Sequence, residues 1–304
     1  MKFTCRRETQ TVAQNVPTWF VETYQNLIVD ALQYKGSKLR SAVTEGPASG
    51  EQAVAVDLIG QIAMKTITER LQPIARDDFP TNRVWMRPID TYSAPVIDTF
   101  DKLRLDVTDP QSAVVRAAAN GAKTEIDRII AGAFFGDLYA GRSGATVIPF
   151  DSAQQVAVGV GGGNTLNAEK IFAGLQLMQE AEVDLNNEEV YLGITPADNR
   201  ALLAEARIVN GDFAALGGVV ENGVVTKYAG VNVIVSTLFQ TPVGGNRQLP
   251  LWVKSGVKLG VWQDVTVSID KLTDIAGLPY QVHTTMTFGA TRTEAGKVIR
   301  ILAQ

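Results

Sequence analysis

Asp109-Pro110 opens the stretch that most restricts what this chain can become. Asp109 is a helix-capping residue, Pro110 suits the first helical position, and no further proline appears before Gly136. The spacing predicts one helix over residues 109–134, roughly 37 Å long at about 1.5 Å per residue. Val114, Ala118, Ala122, Ile126, Ile129 and Ala133 fall on one face, and Arg116, Asn120, Lys123 and Asp127 on the other. Ala117, Ala118, Ala119, Gly121 and Ala122 are small, so another backbone or a sheet can lie close against this helix. Gly121 lowers its intrinsic stability by about 1 kcal/mol.

The chain before this helix has a different character. After Pro17, Phe20, Tyr24, Leu27, Ile28 and Ala31 recur at helical spacing, which predicts an amphipathic helix ending at Gly36. Residues 39–44 and 51–58 read as strands joined by the turn Glu45-Gly46-Pro47-Ala48-Ser49-Gly50. Pro73, Pro80, Pro88 and Pro95 then interrupt strand-like pieces such as 83–86. The whole of 38–100 reads as an extended hairpin region without a core of its own.

After the long helix, the glycine-rich segments 141–150 and 159–164 read as a flexible boundary between two lobes. Asn167 is placed to cap a helix running to about Val183, with Ile171, Leu175 and Met178 inward. Residues 190–194 form an apolar strand. Thr195-Pro196-Ala197-Asp198 then combines a capping hydroxyl, a proline and an acid at the third helical position, starting a helix to about Ala206. Residues 231–235 are another short strand. Near the end, Val265, Val267 and Ile269 alternate with polar residues, as do Tyr280, Val282, Thr284, Met286 and Phe288, and 298–302 reads as a closing strand. The element order is mixed α+β.

Composition narrows the function. The 304 residues, 45% of them hydrophobic, suffice for a sizeable core, and 28 Lys plus Arg against 32 Asp plus Glu leave a formal net charge of −4. That balance argues against a dedicated DNA-binding role. No apolar run reaches the roughly 20 residues of a membrane span, and the first ten residues lack the apolar stretch of a signal peptide, so a soluble protein made inside the cell is expected. Cys5 is the only cysteine and His283 the only histidine, which excludes a disulfide framework and the usual zinc sites. Cys5 reads as an incidental thiol, and His283 as a strand histidine on a polar face. The Gly159–Asn164 stretch lacks the Gly-Lys-Ser/Thr ending of a phosphate loop. Asp77-Asp78 and Glu188-Glu189 are adjacent acids on turns, where side chains point apart. Lys35, Lys38 and Arg40 read as a subunit contact or a solvated face. No catalytic, cofactor-binding or metal-binding residue is assigned, and no cofactor is expected.

The order of these parts resembles the major capsid proteins of tailed bacteriophages, with the Hong Kong 97-like fold. Asp101-Lys102-Leu103-Arg104-Leu105 leading into Asp109-Pro110 is similar to the approach to that family's spine helix. The strand 190–194 with Thr195-Pro196-Ala197-Asp198 is similar to the strand-to-helix step of its axial domain, and Phe288-Gly289-Ala290-Thr291-Arg292 with Lys297-Val298-Ile299-Arg300 to its closing strands. The resemblance implies an N-terminal arm and helix (1–37), an extended loop (38–100), a peripheral domain with the spine helix (101–164), an axial domain (165–262) and C-terminal strands returning to the peripheral domain (263–304).

It further implies hexamers and pentamers of identical copies in an icosahedral shell, located in the virion and assembled in the host cytoplasm. Portal, scaffold and decoration proteins are the further partners implied; packaged DNA is held only weakly, and no membrane is involved. A lysine and asparagine crosslinking pair is not matched here, and a fused scaffolding segment is not expected. A loop of sixty residues orders its backbone at about 1–2 kcal/mol per residue, which favours packing on a neighbouring copy. The rival readings are an encapsulin-like nanocompartment shell, an α+β enzyme holding a phosphorylated ligand on its glycine-rich loop, and a phage tail or decoration protein.

Overall fold

A computed structural model of the chain describes residues 36–60, 64–66, 68–69, 74, 81–98, 110–205, 219–221, 223–240 and 244–304. The amphipathic helix expected before Gly36, Cys5, Lys35, Asp77-Asp78 and the approach at 101–105 lie outside the described residues.

Three α-helices occur among the described residues: α1 (Pro110–Phe135), α2 (Ala168–Glu180) and α3 (Pro196–Leu203). The first strands are β1 (Thr44–Pro47), β2 (Ala53–Ile59), β3 (Thr81–Met86), β4 (Ile89–Ser93) and β5 (Val96–Ile97). After α1 come β6 (Leu138–Ala140), β7 (Thr146–Ile148) and β8 (Gln155–Val156); β9 (Val190–Ile194) separates α2 from α3. The rest are β10 (Val219–Glu221), β11 (Val224–Tyr228), β12 (Val231–Val235), β13 (Arg247–Val253), β14 (Val257–Lys271), β15 (Tyr280–Arg292) and β16 (Val298–Ala303). They form three sheets. The first has the order β1-β14-β15-β4 with β5 also on β15, the second β10-β11-β12-β9-β13-β16-β8, and the third β2-β3-β6-β7.

The long helix lies along β14 and β15. Ala122, Ile126 and Ile129 are buried as their spacing predicts, but the buried stripe turns toward Ile130 and Phe134, leaving Val114, Ala118 and Ala133 half-buried. Asp127, expected on the solvent side, is buried. Its carboxylate accepts the backbone amides of Lys38 and Leu39 at 2.9 and 3.0 Å and the hydroxyl of Ser37. That anchorage explains why 39–44 is not the expected strand. Leu39 and Ala42 are drawn into the core, Arg40–Ala42 closes into a single 3-10 turn, and the Trp252 indole donates to the Ala42 carbonyl at 2.9 Å. The extended backbone that follows, β1, pairs in parallel with β14, while β2 takes β3 as its hairpin partner.

The Asn167 and Thr195 cap motifs form, while Asp109 lies outside the described residues. Asn167 accepts the Lys170 amide at the start of α2, and Thr195 with Asp198 makes a reciprocal capping box on α3. Helix α2 stops at Glu180, before the expected Val183, because Glu182 turns into the left-handed region (φ 58°). There the Val183 amide bonds the Met178 carbonyl and the Glu182 amide the Gln179 carbonyl, a Schellman ending without glycine. Helix α3 likewise ends at Leu203, short of Ala206. Part of 141–150, expected as a flexible connection, is strand β7 paired with β6.

The alternation read in 280–288 matches the buried positions of β15, with Val282, Thr284, Met286 and Phe288 facing in. The closing strand β16 pairs with β13 and β8. One apolar cluster joins Leu39, Ile126 and Phe134 to Ile171, Leu192, Leu251, Trp252, Phe288 and Ile301. A smaller one, Ala55, Val84, Met86 and Leu138, lies under the third sheet and packs against Trp262. Gly260 and Gly289 face each other across β14 and β15, and a side-chain carbon on Gly289 would strike the Arg87 carbonyl oxygen and Trp262.

Candidate assembly surfaces

The groups that most invite a chemical reading are engaged locally. His283 stands half-buried on β15, its ring 6.5 Å from that of Tyr92. Glu188 accepts the Ser255 hydroxyl, while Glu189 accepts the Tyr191 phenol at 2.7 Å and pairs with Lys254 at 3.4 Å. Those two partners hold the Glu189 carboxyl below its usual range, and burial, with Glu189 alongside, pushes the Tyr191 phenol up to about 12. The neighbouring acids thus serve different partners and share no site. No group of three His, Cys, Asp or Glu side chains able to hold a metal occurs among the described residues.

The glycine-rich segment closes as a short 3-10 turn, Val160–Gly162, at the start of α2, where Asn167 donates to the Val160 carbonyl at 3.1 Å. Lys170, fully buried, donates to the Asn164 and Thr165 carbonyls at 3.1 and 2.7 Å, and its removal from water lowers its pKa. These contacts tie the segment down as a helix support.

Of the basic cluster, Lys38 donates to the Val235 carbonyl at 2.8 Å. Arg40 makes ion pairs with Glu45 at 2.6 Å and Asp264 at 3.2 Å, so it bridges β1 and β14 within the chain. Sequence reading missed one cluster entirely. The guanidinium carbons of Arg292 and Arg300 lie 4.9 and 4.1 Å from the ring centre of Phe150, and Arg300 also lies 4.8 Å from that of Phe135. Burial, and then the Arg300 charge, pushes Arg292 down to about 10. Arg292 ends β15 and Arg300 sits in β16, so the stack fastens the first sheet to the second. Its members come from four separate stretches of chain, and no local motif announces them.

Among the described residues, large apolar side chains stay exposed on two hairpins. Ile59 on β2, with Met64 and Ile74 beyond it, is exposed, as are Val267, Ile269, Ile275 and Leu278 along the β14–β15 hairpin. A groove of about 640 Å³ opens between β4 and the small-residue stretch of α1, lined by Tyr92, Ala117, Ala118, Gly121 and Met286 among others. Uncovered apolar patches of this kind mark association surfaces.

Comparison with known proteins agrees with that reading. The capsid of Cyanophage P-SCSP1u superposes with a TM-score of 0.70 at 15% identity, covering 94% of this chain and 93% of that one. The mature capsid of bacteriophage PhiM1 gives 0.67 at 13% identity, with coverages of 93% and 92%. The capsid of a native GTA particle gives 0.62 at 11% identity, with 93% and 94%. These likenesses establish the fold, the mixed α+β capsid architecture of the Hong Kong 97 type. No curated protein sequence matches the chain. The family described as phage capsid protein matches over residues 16–304, nearly the whole length, and this chain belongs to that family.

Proposed function

We propose that this chain is the major capsid protein of a tailed double-stranded DNA phage, its copies closing as hexamers and pentamers into an icosahedral shell around the genome. The family match over 16–304 carries the reading. The exposed apolar residues on the β2–β3 and β14–β15 hairpins support it, because a monomer gains nothing from leaving them in water. In this reading residues 1–37 are an arm and 38–100 a loop that embraces neighbours. Residues 101–164 and the C-terminal strands of 263–304 make the peripheral part, and 165–262 the axial part. The protein acts by occupying a place in the shell of the virion, without a catalytic site, and its acidic balance keeps packaged DNA loosely held. Portal, scaffold and decoration proteins are its further partners during assembly in the host cytoplasm.

The test is the content of particles purified from cells carrying the encoding genome. Nuclease-resistant double-stranded DNA inside shells built from this chain is the expected result. Shells that hold an enzyme and no DNA would instead establish a nanocompartment.

A further inference from the structure

We infer that the outer face of the β2-β3-β6-β7 sheet is the seat for the tip of the β14–β15 hairpin of a second copy of this chain. The inference rests on the shell reading and adds the partner for a surface that reading leaves unassigned.

The register places Val54, Trp85, Tyr139 and Val147 in one row across the four strands. Their opposite face is covered by the small core and Trp262, so this row forms the outside. Val147 is 52% exposed and Val54 37%. The row is rigid. The Trp85 indole donates to the Gly141 carbonyl at 2.7 Å, and Gly144, at φ 69°, lies so close that a side-chain carbon there would sit 3.1 Å from the Trp85 ring. Arg87 stacks 3.7 Å from the Tyr139 ring centre, and Arg83, paired with Asp57 at 2.5 Å, lies 5.7 Å from that of Trp85. Tryptophan, tyrosine and arginine held in fixed positions are the residues that dominate binding energy at protein interfaces.

The hairpin tip has the complementary chemistry. Ile275 is 45% and Leu278 41% exposed, and Asp270 and Asp274 stand exposed beside them. The isoleucine and leucine match the Val and aromatic row, and the two carboxylates match the exposed guanidiniums of Arg87 and Arg142. A chain cannot seat its own tip. Trp262 fixes the near end of β14 against the inner side of the same sheet, and Lys271 lies nine strand residues further on, about 30 Å away. Each copy therefore gives one tip and receives one, a head-to-tail contact that repeats around a ring or shell. Nucleic acid is the poorer occupant, since Asp57 neutralises Arg83 and the chain as a whole is acidic.

The test uses the full chain with Cys5→Ser, Val147→Cys and Ile275→Cys, brought to self-association and then oxidised. The expected result is a disulfide-linked ladder on denaturing gels, absent when either new cysteine is omitted. As a second measurement, Arg87→Glu with Arg142→Glu should lower the yield of assembled protein roughly tenfold, and adding Asp270→Lys with Asp274→Lys should restore it. Assembly without a ladder, a loss that the reversed tip does not repair, or a loss of DNA binding with assembly intact would overturn the inference and leave the shell reading standing. Failure of the unaltered chain to associate would remove both.

Discussion

The carboxylate of Asp127, in the C-terminal half of α1, accepts the backbone amide of Leu39 at 3.0 Å. With the Lys38 amide and the Ser37 hydroxyl on the same carboxylate, the helix holds the start of the described chain at one point. Asp127→Ala should cost about 1–3 kcal/mol, because buried amides lose their acceptor, and Asp127→Asn, which keeps one acceptor oxygen, should cost less. Chemical denaturation of the unassembled protein measures both.

Arg40 gives the fold an acid sensitivity of known sign. Its hydrogen bonds and charge hold the carboxyls of Glu45 and Asp264 below their ordinary values of 4.5 and 3.8. Groups with depressed folded values stabilise the fold above the unfolded values, and that contribution is lost as pH falls through the folded ones. The trio is largely exposed, so its worth is under about 1 kcal/mol after solvent screening. Arg40→Gln should therefore lower the melting temperature slightly at neutral pH, with the difference from the unaltered protein vanishing at strongly acid pH.

Phe150 should matter more than its half-buried position suggests. Two like-charged guanidiniums, one of them buried, lie against its ring, and Phe150→Ala removes that shared ring. A loss of about 3 kcal/mol is expected. Phe150→Tyr, which keeps the ring, should retain most of the stability in the same melts.

The glycine pair on β14 and β15 offers a steric test. Gly289→Ala places a methyl group against the Arg87 carbonyl oxygen and Trp262, and should destabilise by about 1–3 kcal/mol. Gly121→Ala, where nothing lies within 4 Å, should instead stabilise α1 by about 1 kcal/mol. Thermal melts of the two variants should shift in opposite directions.

Local chemistry in the sequence was sufficient for the elements that carry their own signals. Asn167, Thr195, Pro196 and Asp198 announce helix starts because a cap is satisfied within four residues, and the alternation along β15 reports its buried side directly. The features missed depend on distant partners. Nothing near Thr44 shows that β1 will meet β14 some 214 residues later, since Thr44 pairs with Lys258. Asp127 looks like a solvent-facing acid until the amides of Lys38 and Leu39 arrive. The strand pattern of β16 is equally compatible with either sheet, and only its pairing with β13 decides. The α2 ending at Glu180 escaped notice because a glutamate, in place of a glycine, takes the left-handed turn.

The central claim is that the chain completes itself by packing on copies of itself. Sedimentation velocity of the purified full-length protein over a range of concentrations, with electron microscopy of the same samples, tests it most directly. The account predicts rings of five or six copies, or closed shells, growing at the expense of monomer as concentration rises. A species that sediments as a compact monomer at every concentration would contradict it.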